Sequence, residues 1–306
     1  MPATAFLFPG QGAQRVGMGR DAYDASAAAR AVFDEVDAVL GVELSKIVLE
    51  GPEDELVRSH NAQPAILTVS IALLEAMRER LGERMPVPSH AAGHSLGEYT
   101  ALVAAGVLDV AAAAKLVRRR GELMQRAADA IPSGMAALLG LTLDKAEEAC
   151  AGTGAQVANA NSAEQVVIAG ERAALERAID RAKEAGARRA IPLDVAGAFH
   201  TEVMRPAQDE LNEALAELNL RPPAIPVIAN TSGLPMTTVE GIREELGRQL
   251  CGCVYWQRSV EYVAAQGVDR FVEIGPGNVL TGLVKRIARD AAAVSVADLD
   301  GLSALT

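Results

Sequence analysis

Gly93-His94-Ser95-Leu96-Gly97 is the stretch of this chain best equipped for chemistry. It fits G-x-S-x-G, follows an apolar strand pattern over residues 87–93, and precedes a helical pattern over 96–105. On a sharp strand-to-helix turn the glycines meet a steric need, because side chains two positions either way from the serine would collide. The turn exposes the hydroxyl at a helix N-terminus, where backbone N–H groups favour developing negative charge. The context predicts a serine nucleophile. An ordinary helix N-cap serine fits the same letters and stays open as the alternative.

A serine nucleophile needs a base, and the chain has four histidines. His94 adjoins Ser95, but a neighbour on a tight turn points elsewhere, so it reads as structural. His60 precedes a helix and His90 sits inside a strand, and both read as structural too. His200 follows Gly197-Ala198-Phe199 in a loop and comes after the serine in chain order, as hydrolase-like sheets require. It is the best candidate base. No acid stands out to orient it: Asp194 is near in sequence only, and a carboxylate or a backbone carbonyl would both serve. Arg118, Arg119 and Arg120 read, on sequence alone, as a solvated helix face.

The elements that must position these groups are those of an α/β protein. Half of the 306 residues are hydrophobic and only 3% are aromatic, which suits Ala-rich helices packed on aliphatic strands. Strand patterns occupy 3–8, 87–93, 227–230 and 270–274. Helical patterns occupy 25–40, 63–81, 96–105, 110–128, 239–250, 259–266 and a last stretch through Arg289, with another from His200 through Leu218. Between residues 131 and 194 the order becomes β-α-β-β-α-β, the split arrangement of ferredoxin-like domains. The expected architecture is therefore a hydrolase-like domain over 1–130 and 195–306, a parallel sheet flanked by helices. A ferredoxin-like subdomain over 131–194 is inserted into it.

Net charge and cysteine usage narrow the function. A formal charge of −11 argues against nucleic acid as the main partner. No secretory leader pattern opens the chain and no run approaches the roughly 18 apolar residues of a membrane span, so a cytoplasmic location is expected. Cys150, Cys251 and Cys253 are too few for a disulfide framework. The C-x-C at 251–253 could hold a metal only with ligands from elsewhere, and free thiols are the expectation.

Five segments together resemble a known family. Phe8-Pro9-Gly10-Gln11-Gly12-Ala13-Gln14, residues 93–99, Arg120-Gly121, residues 197–200 and residues 273–277 are similar, in order, to malonyl-CoA:acyl carrier protein transacylases. The resemblance implies acyl-carrier-protein S-malonyltransferase activity in fatty acid biosynthesis, through a malonyl ester on Ser95 with His200 as base. It implies an oxyanion hole from the backbone N–H groups of Gln11 and Leu96. Arg120 would hold the free carboxylate of malonyl, Phe199 would limit space beside the α-carbon, and Gln63 would lie near the site. The substrates would be malonyl-CoA and the phosphopantetheine thiol of acyl carrier protein. No metal or bound cofactor is required, and a monomer is expected.

Two segments depart from the family pattern. Cys253-Val254-Tyr255-Trp256 stands where the family often has Pro-Val-Gln-Trp or Pro-Val-Arg-Trp, and there Tyr255 would orient the histidine through its main-chain carbonyl. Asn159-Ala160-Asn161-Ser162-Ala163 lacks an aromatic and a proline common at that place. Because carriers of this pathway are acidic, a local basic surface is also expected, from Arg188 and Arg189 or from Lys285, Arg286 and Arg289. Rival readings are a polyketide-pathway acyltransferase, a serine hydrolase, and a non-catalytic carrier-binding scaffold.

Overall fold

The computed structural model describes residues 3–305. Its strands are β1 (Thr4–Phe8), β2 (Pro88–Gly93), β3 (Ser133–Leu139), β4 (Gln156–Ser162), β5 (Gln165–Glu171), β6 (Arg189–Pro192), β7 (Val227–Ile228), β8 (Pro235–Met236), β9 (Arg270–Ile274) and β10 (Ala292–Val296). They form two sheets. The larger runs β10-β9-β1-β2-β7-β8, with every pair parallel except the final β7-β8 pair.

β1 lies at the centre and is buried at all five positions, because helices cover both of its faces. Phe6 and Phe8 enter the main core, while Ala5 and Leu7 pack on the opposite side with Ile228, Trp256 and Phe271. That explains its unbroken apolar run, which parallel strands covered on both faces require. The main core is filled by the helices Ala27–Leu40, Ser59–Leu81, Leu96–Ala104 and Val110–Ala130.

The smaller sheet runs β4-β5-β3-β6 and is antiparallel throughout. The helices Leu143–Cys150 and Arg172–Glu184 cover one face, packing on Ala136, Leu138, Val166 and Ile168. The alternate residues Met135, Ala137, Val167 and Ala169 turn into the main core. Period-two alternation thus makes one sheet serve two cores. A single parallel bridge joins Asn159 to Val254, with Ala160 N–H donating to Val254 O (2.9 Å) and Val254 N–H to Ala158 O (2.9 Å).

The α/β class expected from sequence is the one found, with differences in detail, among them the short helices Arg20–Ala25 and Leu44–Glu50, which the sequence reading does not include. β10 pairs beside β9 although its run Ala-Ala-Val-Ser-Val gives little alternation or bulk. The helix expected from residue 63 begins at Ser59, one turn earlier, and carries Pro64 inside it. Pro64 reads as a helix start because the ring tolerates only the first turn without losing a hydrogen bond. The helix expected over 239–250 stops at Leu246, and that shortening matters below. His200 is followed by a 3₁₀ turn, Glu202–Met204, before the helix Arg205–Ala216. Among the described residues no helix is long and apolar enough to cross a membrane.

Candidate active site

Ser95 sits between β2 and the helix Leu96–Ala104 with φ 53° and ψ −104°, a conformation that side-chain-bearing residues rarely adopt. A Cβ on Gly93 would overlap the backbone of Gly97, and one on Gly97 would overlap the carbonyl of Phe8. Gly10 presses in the same way on the carbonyl of His94. The glycines are therefore set by backbone contact at the turn. Ser95 is the residue before the helix, yet its side chain makes no capping bond.

Asn230, just past β7, holds the turn in shape. Its Oδ1 accepts from Ser95 N–H (2.7 Å), and its Nδ2 donates to Gly93 O (2.7 Å). Its own backbone N–H donates to Glu98 Oε1 (2.8 Å).

The Ser95 hydroxyl lies 2.8 Å from His200 Nε2. His200 Nδ1 faces two carbonyls, Gln249 O at 3.0 Å and Gly252 O at 3.2 Å. Carbonyl oxygens only accept, so the ring proton is on Nδ1 and Nε2 offers a lone pair to the serine O–H. Burial, with Arg120 adding to it, pulls the His200 pKa down to about 3. The imidazole is neutral at ordinary pH.

The expected role of Tyr255 is corrected here. Its carbonyl accepts from Ser259 N–H (3.0 Å) and Ser259 Oγ (3.2 Å), so it caps a helix and does not reach His200. The orienting carbonyls come from the segment after Leu246. There the chain has left the helix and turns back so that the carbonyls of Gln249 and Gly252 both face the ring.

Arg120 is fully buried, against the reading of Arg118–Arg120 as one solvated face. Its Nη1 donates to Gln63 Oε1 (2.8 Å); its Nη2 donates to Gln249 Oε1 (3.0 Å) and to Ser95 Oγ (3.2 Å). Its Nε has no partner, and its guanidinium carbon lies 5.3 Å from the centre of the Tyr99 ring. Burial lowers its pKa, with Tyr99 and Glu98 acting the other way. Gly121 lets this helix close on its neighbour: a Cβ there would stand 2.7 Å from His60 Cα. Arg119, half-exposed, instead pairs with Glu210 (3.2 Å).

Two further polar residues complete the network and were not singled out by sequence. Gln249 Nε2 donates to Ser95 O (2.9 Å) and to Glu98 Oε2, so one side chain touches the serine turn, the arginine and a buried acid. Glu98 is fully buried; burial and then Glu245 push its pKa well above the usual carboxylate range. The signal for Glu98 was present as an acid in an otherwise apolar helix start. Gln249 had none, because its partners Ser95, Glu98 and Arg120 all lie more than a hundred residues away in sequence.

A cavity of about 670 Å³ opens over Ser95. Gln11, Met124, Met135, Leu193, Phe199 and His200 help to line it. Gln63 is fully buried behind it, its Nε2 3.4 Å from Gln11 Oε1. His94 also lines the cavity, bonded through Nε2 to Asn161 Oδ1 (2.9 Å) and tilted against Trp256. Asp194 lies on the wall without reaching the imidazole, while His60 and His90 lie outside the cavity. All three cysteines are free, and among the described residues no cluster of His, Cys, Asp or Glu is placed to hold a metal ion.

Comparison with known proteins accords with this geometry. The acyl transferase domain family model matches residues 5–303. The malonyl CoA-acyl carrier protein transacylase of Bacillus subtilis (strain 168) is 45% identical over 305 residues, covering 97% of this chain and 94% of that relative. The crystal structure of an acyl carrier protein S-malonyltransferase from Vibrio cholerae superposes with a TM-score of 0.95 at 44% identity, over 99% of both chains. A malonyl-transacylase solved in complex with its type II polyketide synthase acyl-carrier protein superposes with a TM-score of 0.94 at 42% identity, over 99% of this chain and 98% of that one. The chain belongs to the acyl transferase family, among the malonyl CoA-acyl carrier protein transacylases.

Proposed function

We propose that this protein transfers the malonyl group of malonyl-CoA to the phosphopantetheine thiol of an acyl carrier protein, through a malonyl ester on Ser95. The observation that carries the reading is the convergence on one oxygen: Ser95 Oγ is within hydrogen-bond reach of a neutral imidazole and of a buried guanidinium.

In the first half-reaction Ser95 Oγ attacks the thioester carbonyl while His200 Nε2 takes the hydroxyl proton. The C–S bond then breaks and coenzyme A leaves with the proton from the imidazolium. In the second, the carrier thiol gives its proton to His200 as its sulfur attacks the ester, and Ser95 recovers the proton on leaving. The oxyanion of each tetrahedral state is assigned to the N–H groups of Gln11 and Leu96, neither of which has an acceptor among the described residues. Loss of one such donor costs on the order of 10²–10³ in turnover.

Arg120 is assigned to the free carboxylate of malonyl, which a guanidinium can grip with two parallel N–H donors. Gln63 holds Arg120 from behind, and Phe199 forms the wall beside the substrate α-carbon. The chemistry requires no metal or bound cofactor. The same reading includes a catalytic unit over 1–130 and 195–306, an inserted unit over 131–194, a cytoplasmic location and a monomeric state.

A second reading concerns the acceptor. The neighbour solved with a polyketide synthase carrier favours a polyketide carrier as an alternative to that of fatty acid biosynthesis. One experiment tests the transfer, and running it with a fatty acid carrier and with a polyketide carrier separates the acceptors. Mass spectrometry of the protein after malonyl-CoA should show a malonyl adduct on Ser95, lost when a carrier bearing phosphopantetheine is added. Absence of the adduct, or its release as free malonate at the same rate without carrier, would overturn the reading.

A further inference from the structure

We propose that Glu98 is a positioning residue for acyl choice: through Gln249, its carboxylate fixes the Arg120 guanidinium while keeping it free of an ion pair. The inference rests on the malonyl-transfer reading above. Arg120 is a fully buried cation, and among the described residues it makes no salt bridge; its recorded bonds go to two amide oxygens and a hydroxyl. Burying a charge this way is costly unless compensating charge is near.

That charge is one residue away. Glu98 reaches Gln249 Nε2, and the other end of the same amide, Oε1, accepts from Arg120 Nη2 at 3.0 Å. The amide's orientation is set independently of Glu98, since Ser95 O can only accept and Arg120 can only donate. Both Glu98 oxygens therefore face donors, Asn230 N–H and Gln249 Nε2–H. Two facing donors suit a carboxylate and no neutral isostere, and with Arg120 nearby they act against the burial and the Glu245 charge that favour the protonated acid. A direct Glu–Arg pair would occupy the guanidinium; the interposed amide passes on the favourable field and leaves N–H donors unused. Three recorded bonds and an unpartnered Nε leave room for an incoming carboxylate on a group with five N–H donors.

The test is Glu98→Gln. The two side chains have the same size, but an amide carries no charge and accepts from only one of the two donors, so its NH2 opposes Asn230 N–H or Gln249 Nε2, and Arg120 loses the negative field and the firm hold on Gln249. Transfer kinetics with malonyl-CoA and acetyl-CoA should show the malonyl-to-acetyl ratio of kcat/KM falling at least ten-fold, mostly through KM for malonyl-CoA. This ratio is independent of the fraction of active protein. Gln249→Glu gives a second arm should Glu98→Gln not fold: it hands Arg120 a direct ion pair and should lower the same ratio. An unchanged ratio in the variant that folds, with wild type forming the malonyl adduct, overturns the role of Glu98. A wild type that forms no malonyl adduct overturns the transfer reading instead.

Discussion

The imidazole of His200 is oriented by peptide oxygen: Nδ1 stands 3.0 Å from the carbonyl of Gln249, and among the described residues no carboxylate reaches that nitrogen. A carbonyl fixes the ring and its tautomer as an acid would, but brings no full negative charge to stabilise an imidazolium. Arg120, on the other side of Ser95, disfavours the imidazolium further. The base is thus held neutral, ready to accept a proton and quick to return it.

Acid dependence follows from this. With the His200 pKa at about 3, serine acylation should show no decline attributable to it as pH drops through 6.5, the value of a free imidazole. Stability behaves differently. Because the folded-state pKa lies below the unfolded one, the unfolded chain binds more protons under pH 6.5. The contribution is full above that pH and is lost progressively down to about 3. Denaturant midpoints measured between pH 7 and 4 should fall, and His200→Gln should flatten the fall. An acylation profile with a break near 6.5 would contradict this account.

Arg120→Ala should reduce malonyl transfer about 10- to 100-fold, the equivalent of one lost charged hydrogen bond of roughly 1.5–3 kcal/mol. Acetyl transfer should be spared or improved. Steady-state kinetics with both thioesters decide it; an equal loss for both would remove the carboxylate-binding role.

Asn230→Ala leaves two backbone groups at the turn without their partner, Ser95 N–H and Gly93 O, while the backbone N–H of residue 230 that meets Glu98 is retained. Each unsatisfied buried group costs about 1–3 kcal/mol. The variant should unfold several degrees lower in calorimetry and label more slowly with a serine-directed acylating probe. Wild-type labelling and melting together would show that the turn holds its shape unaided.

Gly121→Ala forces two packed helices apart, because the added carbon would meet the backbone of Ser59 and His60. Backbone cannot rotate away as a side chain can, so a loss of about 1–3 kcal/mol is expected by chemical denaturation. Malonyl selectivity should fall with it, since the neighbouring Arg120 moves. A variant with unchanged stability would mean that the helices already have slack.

For carrier docking, Arg188 pairs with Glu164, and Arg286 Nη1 donates to the adjacent Gln165 (3.3 Å), so the two basic segments named from sequence flank one turn. Arg286→Glu should raise KM for an acidic carrier, with the difference shrinking in high salt, and leave malonyl-CoA acylation unchanged. No effect at low salt would exclude this surface.

What could be read in the letters depends on how local each cause is. β1 is legible because a strand covered on both faces must be apolar at every position, and Thr4–Phe8 comes close to that. The turn at Ser95 is legible because its glycines answer to contacts within five residues as well as to Phe8. Arg120 was indistinguishable from Arg118 and Arg119 by pattern, because its burial comes from Gly121 and from helices remote in sequence; only the family resemblance singled it out. Tyr255 was the wrong carbonyl because the right ones, of Gln249 and Gly252, lie in an irregular turn after Leu246 whose course no local pattern encodes. β10 was missed because an edge strand of small residues carries almost no hydrophobic period.

The bridge from Asn159 to Val254, with the His94–Asn161 bond beside it, bears on protein engineering. Val254 lies two residues beyond Gly252, one of the carbonyls that steady the base. Exchanging the segment Ser133–Pro192 for that of a relative therefore also alters the scaffold behind the imidazole. A chimera needs its 249–256 loop and the Asn159–Asn161 stretch taken from the same donor.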